Sequence, residues 1–171
     1  MHRIFVGLQL PESLHQTMAT WRMQHADWPV RWMRATDLHL TIVPPWDVES
    51  SQTAINAFYS LNGFFQPQTL RFDTIHFVPD DAPRMVWTEG QPTPELNDMK
   101  QRLHELFHQP AEAQAFRPHI TLARCWADQV VAIKHHNESV DWATTCTALV
   151  LYESKRDQFG SRYKELAVVS A

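Results

Sequence analysis

Eleven prolines, spread over the whole 171-residue chain, limit its possible folds more than any other feature. Proline lacks a backbone N–H donor and usually ends a helix or a strand. The prolines are Pro11, Pro29, Pro44, Pro45, Pro67, Pro79, Pro83, Pro92, Pro94, Pro110 and Pro118. The chain must therefore be assembled from short elements separated by frequent breaks.

Hydrophobic periodicity between these breaks predicts many strands and about three helices. Strands are predicted over residues 3–10, 30–33, 38–43 (stopping at Pro44), 70–78, 85–89, 119–124, 145–153 and 163–169, and helices over 11–24, 49–61 and 93–107. This interleaving indicates an α+β fold in which a mostly antiparallel sheet packs against helices. A strand, a helix and a His-x-Thr strand occur in the same order in both halves, which suggests two pseudo-equivalent lobes within one domain, residues 1–171.

Composition narrows the class of function. The net charge of −4 disfavours a long electrostatic footprint on nucleic acid but allows binding of one phosphate or one RNA end. The sequence has no apolar run of about 18 residues, so we expect no membrane span and a cytoplasmic protein. Cys125 and Cys146 lie in apolar stretches and are predicted to be buried free thiols.

Two His-x-Thr motifs are the candidate functional feature: His39-Leu40-Thr41 and His119-Ile120-Thr121. Side chains alternate faces along a strand, so each His shares one face with its Thr while apolar residues occupy the other face. A third match, beginning at His15, falls in a predicted helix, where residues i and i+2 do not face together. One such motif alone is better explained as structural; two matched copies, 80 residues apart, favour function.

A pair of histidines suits hydrolysis of a phosphodiester. One imidazole can activate water and the other can protonate the leaving oxygen, because the ordinary pKa of histidine lies near neutrality. Thr41, Thr121 and a nearby arginine could hold the non-bridging oxygens and stabilise developing charge.

Metal-dependent chemistry is the weaker interpretation. The sequence contains no H-E-x-x-H motif and no Cys/His quartet at zinc spacing. His104 and His108 are predicted to lie on a solvated helix face, and His135 with His136 on the surface. We therefore expect neither a metal nor another cofactor.

The motifs and their surroundings resemble the 2H phosphoesterases, most closely the RNA 2′,3′-cyclic phosphodiesterases, also called 2′-5′ RNA ligases. The resemblance covers nearly the whole chain and rests on the opening strand 3–11, the two motif regions 30–41 and 116–124, and the C-terminal segment 151–166. It implies a bilobal fold in which two mostly antiparallel sheets face a central cleft and the helices pack outside. Each lobe would contribute one motif.

The resemblance also implies an activity: opening of a ribose 2′,3′-cyclic phosphate to a 2′-phosphate, with possible reversible 2′-5′ joining of RNA ends. Carried over, His39 is the proton donor, His119 is the proton acceptor, and Arg124 is a cation beside the phosphate. The expected partners are RNA ends or small nucleotides carrying a cyclic phosphate, bound by a monomer.

One departure from the family's sequence bears on which substrate the chain prefers. The family continues after its first motif with Lys-Phe-Leu-Gly or similar, whereas this chain has Val43-Pro44-Pro45-Trp46. Trp46 is predicted to supply the missing aromatic surface for the substrate. Two alternatives remain open: a non-catalytic module that captures 2′-phosphate or cyclic-phosphate ends, and an enzyme for another 2′-5′ or cyclic-phosphate linkage.

Overall fold

Nine strands form one sheet in the computed structural model, which describes residues 1–158 and 160–171. The strands are β1 (His2–Gln9), β2 (Arg31–Trp32), β3 (His39–Val48), β4 (Gln68–Val78), β5 (Met85–Gly90), β6 (His119–Arg124), β7 (Asn137–Cys146), β8 (Ala148–Asp157) and β9 (Gly160–Ser170). The helices are α1 (Glu12–Gln24), α2 (Ser51–Tyr59) and α3 (Pro94–Leu106), and a short 3-10 turn, Ala35–Asp37, precedes β3.

The strand order is β7-β4-β5-β6-β3-β1-β8-β9, and β2 pairs with β6. The pairings are antiparallel, which confirms the predicted α+β class. The order divides into two sets of four strands whose innermost members, β6 and β3, carry the two His-x-Thr motifs. The resemblance implied two separate sheets, but Leu40 of β3 pairs with Ile120 of β6. This pairing joins the two sets of strands into a single sheet.

Two of the helices connect these sets. α1 follows β1 but contacts β7 of the other set, and α3 follows β5 but contacts β3. Leu14, Met18 and Trp21 recur at helical spacing on the buried face of α1. α3 begins where the Thr93 hydroxyl accepts a hydrogen bond from Leu96 N at 3.1 Å, as helix-capping threonines do.

The prediction that the third strand stops at Pro44 is wrong, because β3 continues to Val48. The pairing with β1 shifts between Val6↔Val43 and Ile4↔Trp46. Two steps along β1 are therefore matched by three along β3. Such an irregularity is where a strand tolerates proline, which cannot donate to the neighbouring strand.

Three other expectations can be compared with the structure. Both cysteines are buried and free, as predicted. His104 does not lie on a solvated face: it is 7% exposed, and its Nδ1 lies 2.9 Å from the carbonyl oxygen of Pro110. Among the described residues, no helix is long and apolar enough to cross a membrane.

Candidate active site

The two His-x-Thr strands meet at the junction of the two sets of strands. Leu40 and Ile120 face each other and are fully buried. Antiparallel pairing then puts His39 opposite Thr121 and Thr41 opposite His119, where cross-strand side chains are neighbours. All four of these partly buried residues line one cavity of about 630 Å³. That volume falls within the range of small-molecule sites.

The two imidazoles are held in the same way. Nδ1 of His39 lies 2.8 Å from the carbonyl oxygen of Asp37, and Nδ1 of His119 lies 2.7 Å from that of Arg117. A carbonyl can only accept, so each Nδ1 donates a proton to it. In the neutral ring this leaves Nε2 as the unprotonated nitrogen. The repeated contact, from each motif histidine to the residue two positions before it, gives both rings the same tautomer.

Aromatic side chains surround His39. Its ring centre lies 4.8 Å from that of Phe5, 4.9 Å from that of Tyr163 and 5.5 Å from that of Tyr152. Asp37, whose carbonyl holds the ring, is 3% exposed and accepts two hydrogen bonds from Arg34, at 2.7 and 2.9 Å. This ion pair fixes the 3-10 turn immediately before the motif.

His119 has a different support. Its ring stacks on Trp87 with the centres 3.6 Å apart, and the Arg117 guanidinium lies 5.5 Å from the Trp87 ring. Glu89 accepts two hydrogen bonds from Arg117, at 2.7 and 2.6 Å, and lies 2.8 Å from Nε2 of His76. The carboxylate therefore anchors the residue whose carbonyl orients His119.

The cavity changes the acidity of both imidazoles. Burial lowers the pKa of His39 to about 4, although its hydrogen bond to the Asp37 carbonyl and the Asp37 charge oppose this. The positive form of His119 contributes further to the lowering. The pKa of His119 is also lowered by burial, against opposing effects of its Arg117 carbonyl partner and the Glu89 carboxylate. Without a ligand, both rings are neutral near pH 7.

Arg124 also lines this cavity, at the end of β6.

The prediction that Trp46 offers an aromatic surface to the substrate is wrong. Its ring packs on Phe107, with the ring centres 5.1 Å apart, and against the hydrophobic core, while Pro45 lines the cavity. Trp46 therefore gives no aromatic surface to a ligand there, and we exclude it from the site.

Sequence reasoning missed several other residues that line the cavity. They are Arg3, Phe5, Met33, Asp37, Pro45, Ser154, Arg156, Ser161 and Tyr163. Many come from β1, β8 and β9, which pairing in the sheet brings beside β3. The similarity of segments 3–11 and 151–166 to the family was the available signal, but it did not single out Arg3 or Arg156. These two arginines add positive charge to a site that also contains Arg124.

The third His-x-Thr tripeptide lies in α1, as predicted, and does not share this geometry. A separate cluster, His25, His136 and Glu138, brings together side chains that are suitable for binding a metal. No local sequence pattern predicts this set, because His25 lies more than 100 residues before the other two. His135 and His136 are both predicted to be surface residues; His135 is exposed, whereas His136 is partly buried.

Comparison with known protein families gives one match to most of the chain: the 2′-5′ RNA ligase superfamily, over residues 10–158. No curated protein matches the chain.

Solved structures show similar folds. A crystal structure of a phosphoesterase is 25% identical, has a TM-score of 0.76, and is aligned over 99% of this chain and 98% of its own. Escherichia coli LigT in its apo form is 25% identical, with a TM-score of 0.73 and coverages of 99% and 96%. A Thermus thermophilus protein, TT0787, shares the fold at 18% identity, with a TM-score of 0.78 and coverages of 98% and 97%.

Proposed function

This chain belongs to the 2′-5′ RNA ligase superfamily, and from that premise we propose that it is a metal-independent phosphodiesterase that opens 2′,3′-cyclic phosphates to 2′-phosphates. The observation that carries the proposal is the shared cavity of His39 and His119, in which a backbone carbonyl holds Nδ1 of each ring. Two imidazoles held alike beside two threonines provide an acid, a base and hydroxyl donors around one phosphate.

The proposed reaction begins with a water molecule in line with the bond to the ribose 3′ oxygen. Nε2 of His119 takes a proton from this water as its oxygen attacks phosphorus. The bond between phosphorus and the 3′ oxygen breaks, and protonated His39 gives its proton to that oxygen. The product has a 2′-phosphate and a free 3′ hydroxyl, and the two histidines exchange one proton with solvent before the next cycle. The donor and acceptor roles follow the family resemblance.

The charge of the substrate makes this scheme consistent with the low pKa of His39. A phosphate anion close to both rings favours their protonated forms, so binding raises the pKa values that burial had lowered. Thr41, Thr121 and Arg124 are proposed to hold the non-bridging oxygens. Escherichia coli LigT has been crystallised in complex with phosphate, ATP and NADP⁺, and these ligands support a small nucleotide substrate for this chain.

Turnover of adenosine 2′,3′-cyclic phosphate, followed by ³¹P NMR, tests the proposal. The expected product is the 2′-phosphate alone. His39→Ala and His119→Ala should each reduce kcat by about 10²–10⁴-fold, the usual contribution of one proton-transfer group. The double variant should lose much less than the product of the two losses, because the pair acts as a unit.

His15→Ala is the matched control, since it removes the histidine of the same tripeptide from α1. It should leave turnover unchanged. Binding of the cyclic nucleotide without turnover would identify a non-catalytic binding module instead. Turnover only of other 2′-5′ or cyclic linkages in a substrate panel would reject the assigned substrate.

A substrate with a good leaving group separates the two histidine roles. Such a substrate needs little help from an acid, so it should partly restore turnover of His39→Ala but not of His119→Ala. Restoration of His119→Ala alone would reverse the assignment. Incubation of RNA ends carrying 2′,3′-cyclic phosphate and 5′ hydroxyl groups tests the 2′-5′ joining reaction directly.

A further inference from the structure

A second cluster of chemically active side chains lies at the outer edge of the sheet, where the end of α1 meets the start of β7. His25 is the C-terminal cap of α1, His136 immediately precedes β7, and Glu138 is the second residue of β7. One potential ligand atom from each residue lies within 4.8 Å of the other two. The side chains of His25, His136 and Glu138 are 15%, 30% and 33% exposed, so the cluster is open to solvent on one side.

The spacing of these atoms fits a tetrahedral metal ion. Zinc bonds to nitrogen and oxygen of about 2.0–2.2 Å, at tetrahedral angles, require ligand atoms about 3.3–3.5 Å apart. Oε2 of Glu138 lies 3.1 Å from Nε2 of His136 and 3.5 Å from Nε2 of His25. Both distances are within a few tenths of an ångström of that requirement, and the third pair of ligand atoms lies within 4.8 Å.

Surrounding contacts orient the ligands as the outer shell of a metal site does. Nδ1 of His25 donates to the carbonyl oxygen of Trp21 at 2.9 Å, which leaves the Nε2 lone pair directed at the cluster. The Trp21 indole N–H donates to Oε2 of Glu138 at 3.0 Å. A ligating histidine typically donates its second nitrogen to a carbonyl in this manner.

Aromatic packing further restricts the two rings. His25 stacks on Trp21 with the ring centres 4.2 Å apart, and His136 packs edge-on against Trp28 at 4.8 Å. Fixed rings lose little conformational entropy when they bind a ligand. The structure therefore provides three preoriented donors, where a chance surface cluster would have mobile side chains.

We propose that His25, His136 and Glu138 bind one Zn²⁺ ion, with water as the fourth ligand, and that this ion ties α1 to β7. Two imidazoles and one carboxylate are a donor set that Zn²⁺ accepts. The ion takes the place of the hydrogen shared by His136 and Glu138 in the metal-free cluster. β7 is three strands from β6, or roughly 14 Å across the sheet at the usual strand spacing, so the ion has no part in the chemistry of the cavity.

Calorimetric titration of ZnCl₂ into the full chain tests the proposal. The chain should carry His39→Ala and His119→Ala, so that the cavity histidines cannot supply the signal. One Zn²⁺ should bind per chain. His25→Ala and His136→Ala should each weaken binding by more than about 100-fold, since loss of an outer-shell partner alone costs 10–100-fold.

His135→Ala is the matched control, because it removes the exposed neighbour of His136 and should leave the affinity unchanged. The proposal is overturned if the chain carrying only His39→Ala and His119→Ala binds no Zn²⁺. It is also overturned if adding His25→Ala leaves the affinity unchanged, or if adding His135→Ala weakens binding as much as adding His136→Ala does.

Cobalt spectroscopy gives a test that needs no substitution in the cluster, in case a variant fails to fold. Co²⁺ bound to the chain that carries only His39→Ala and His119→Ala should show the intense visible absorption of four-coordinate cobalt. Zn²⁺ should displace it. The weak absorption of octahedral cobalt would reject the site. Neither measurement depends on turnover, so failure here leaves the proposed phosphodiesterase function untouched.

Discussion

Burial of His39 links the acidity of a single residue to the stability of the whole protein. Its pKa is about 4 in the folded chain and about 6.5 in the unfolded chain. Between these values the unfolded state binds more protons, so the free energy of unfolding decreases as the pH falls below 6.5 and the loss is complete below about 4. The difference corresponds to at most about 3 kcal/mol.

Urea unfolding at a series of pH values measures this effect. The free energy of unfolding of the parent should fall more steeply between pH 6.5 and 4 than that of His39→Gln, whose side chain does not titrate. Phosphate-free buffer is needed, because a bound anion would alter the pKa of the ring. Parallel curves for the two proteins would show that His39 is not held in its neutral form.

The pH dependence of catalysis should reveal the same burial. kcat/KM reports the free enzyme and kcat reports the complex with substrate. A plot of kcat/KM against pH should be bell-shaped, because one histidine must be neutral and the other protonated. Because burial lowers the pKa values of His39 and His119, both limbs of this profile should lie below pH 6.5. The limbs belong to the coupled pair and not to either residue alone.

Substrate charge should move the kcat profile in the opposite direction. A bound phosphate favours both imidazolium forms, so the limbs of kcat should lie at higher pH than those of kcat/KM. Coincident profiles, or kcat/KM limbs above pH 6.5, would contradict this account of the site.

At the scale of elements, the contact of β1 with β3 positions the first motif. Gly7 pairs with Thr41, and a Cβ added at Gly7 would lie 2.9 Å from the Leu40 carbonyl oxygen and 3.4 Å from Cδ2 of His39. The backbone of β3 would have to shift to accept it. We expect Gly7→Ala to reduce kcat by about 10-fold, because small displacements of a reacting group are costly.

Gly63→Ala is the control for this substitution. Gly63 has a φ of 78° and an added Cβ meets no atom within 4 Å, so alanine there adds backbone strain without contacting the cavity. It should lower stability but leave kcat unchanged. Equal kcat values for Gly7→Ala and the parent, in samples shown to be fully folded, would mean that β1 does not set the position of His39.

Predictability from sequence also differed among the elements. The two motif strands were evident because alternation around His39 and His119 is a local signal. β7 was not predicted over most of its length, since its mostly polar residues 137–141 become a strand through pairing with β4. The stop predicted at Pro44 failed because a local shift in register with β1 absorbs the prolines.

The residues of the candidate site likewise divide into those with a local sequence signal and those placed by strand pairing. Its histidines and threonines, and Arg124 beside them, lie in or next to a motif that can be recognised in one segment. Arg3 reaches the cavity because β1 pairs with β3, and Arg156 because β8 pairs with β1. No local pattern distinguishes them from other surface arginines. Trp46 was wrongly placed because the strand was predicted to end at Pro44. With β3 continuing to Val48, alternation from His39 and Thr41 puts Pro45 on the cavity side and Trp46 on the opposite side.

At the scale of the whole molecule, the two proposed sites should respond independently. Excess EDTA should leave turnover of the cyclic nucleotide unchanged, since the proposed acid and base are both imidazoles. The same treatment should lower the melting temperature of Zn²⁺-loaded protein, because removing an ion bound only by the folded state removes its stabilisation. Loss of turnover on chelation, with recovery on adding a divalent ion, would reject metal-independent chemistry.

The Leu40–Ile120 pairing joins the two sets of strands beside His39 and His119. Local opening of this narrow seam would expose amides in the middle of the sheet to deuterium from solvent. A phosphate that contacts both motifs bridges the seam and opposes that opening. A nucleotide bound at the proposed site would act as a reversible crosslink. We therefore expect slower deuterium uptake at Leu40 and Ile120 when it is bound, a measure of occupancy that requires no chemical turnover.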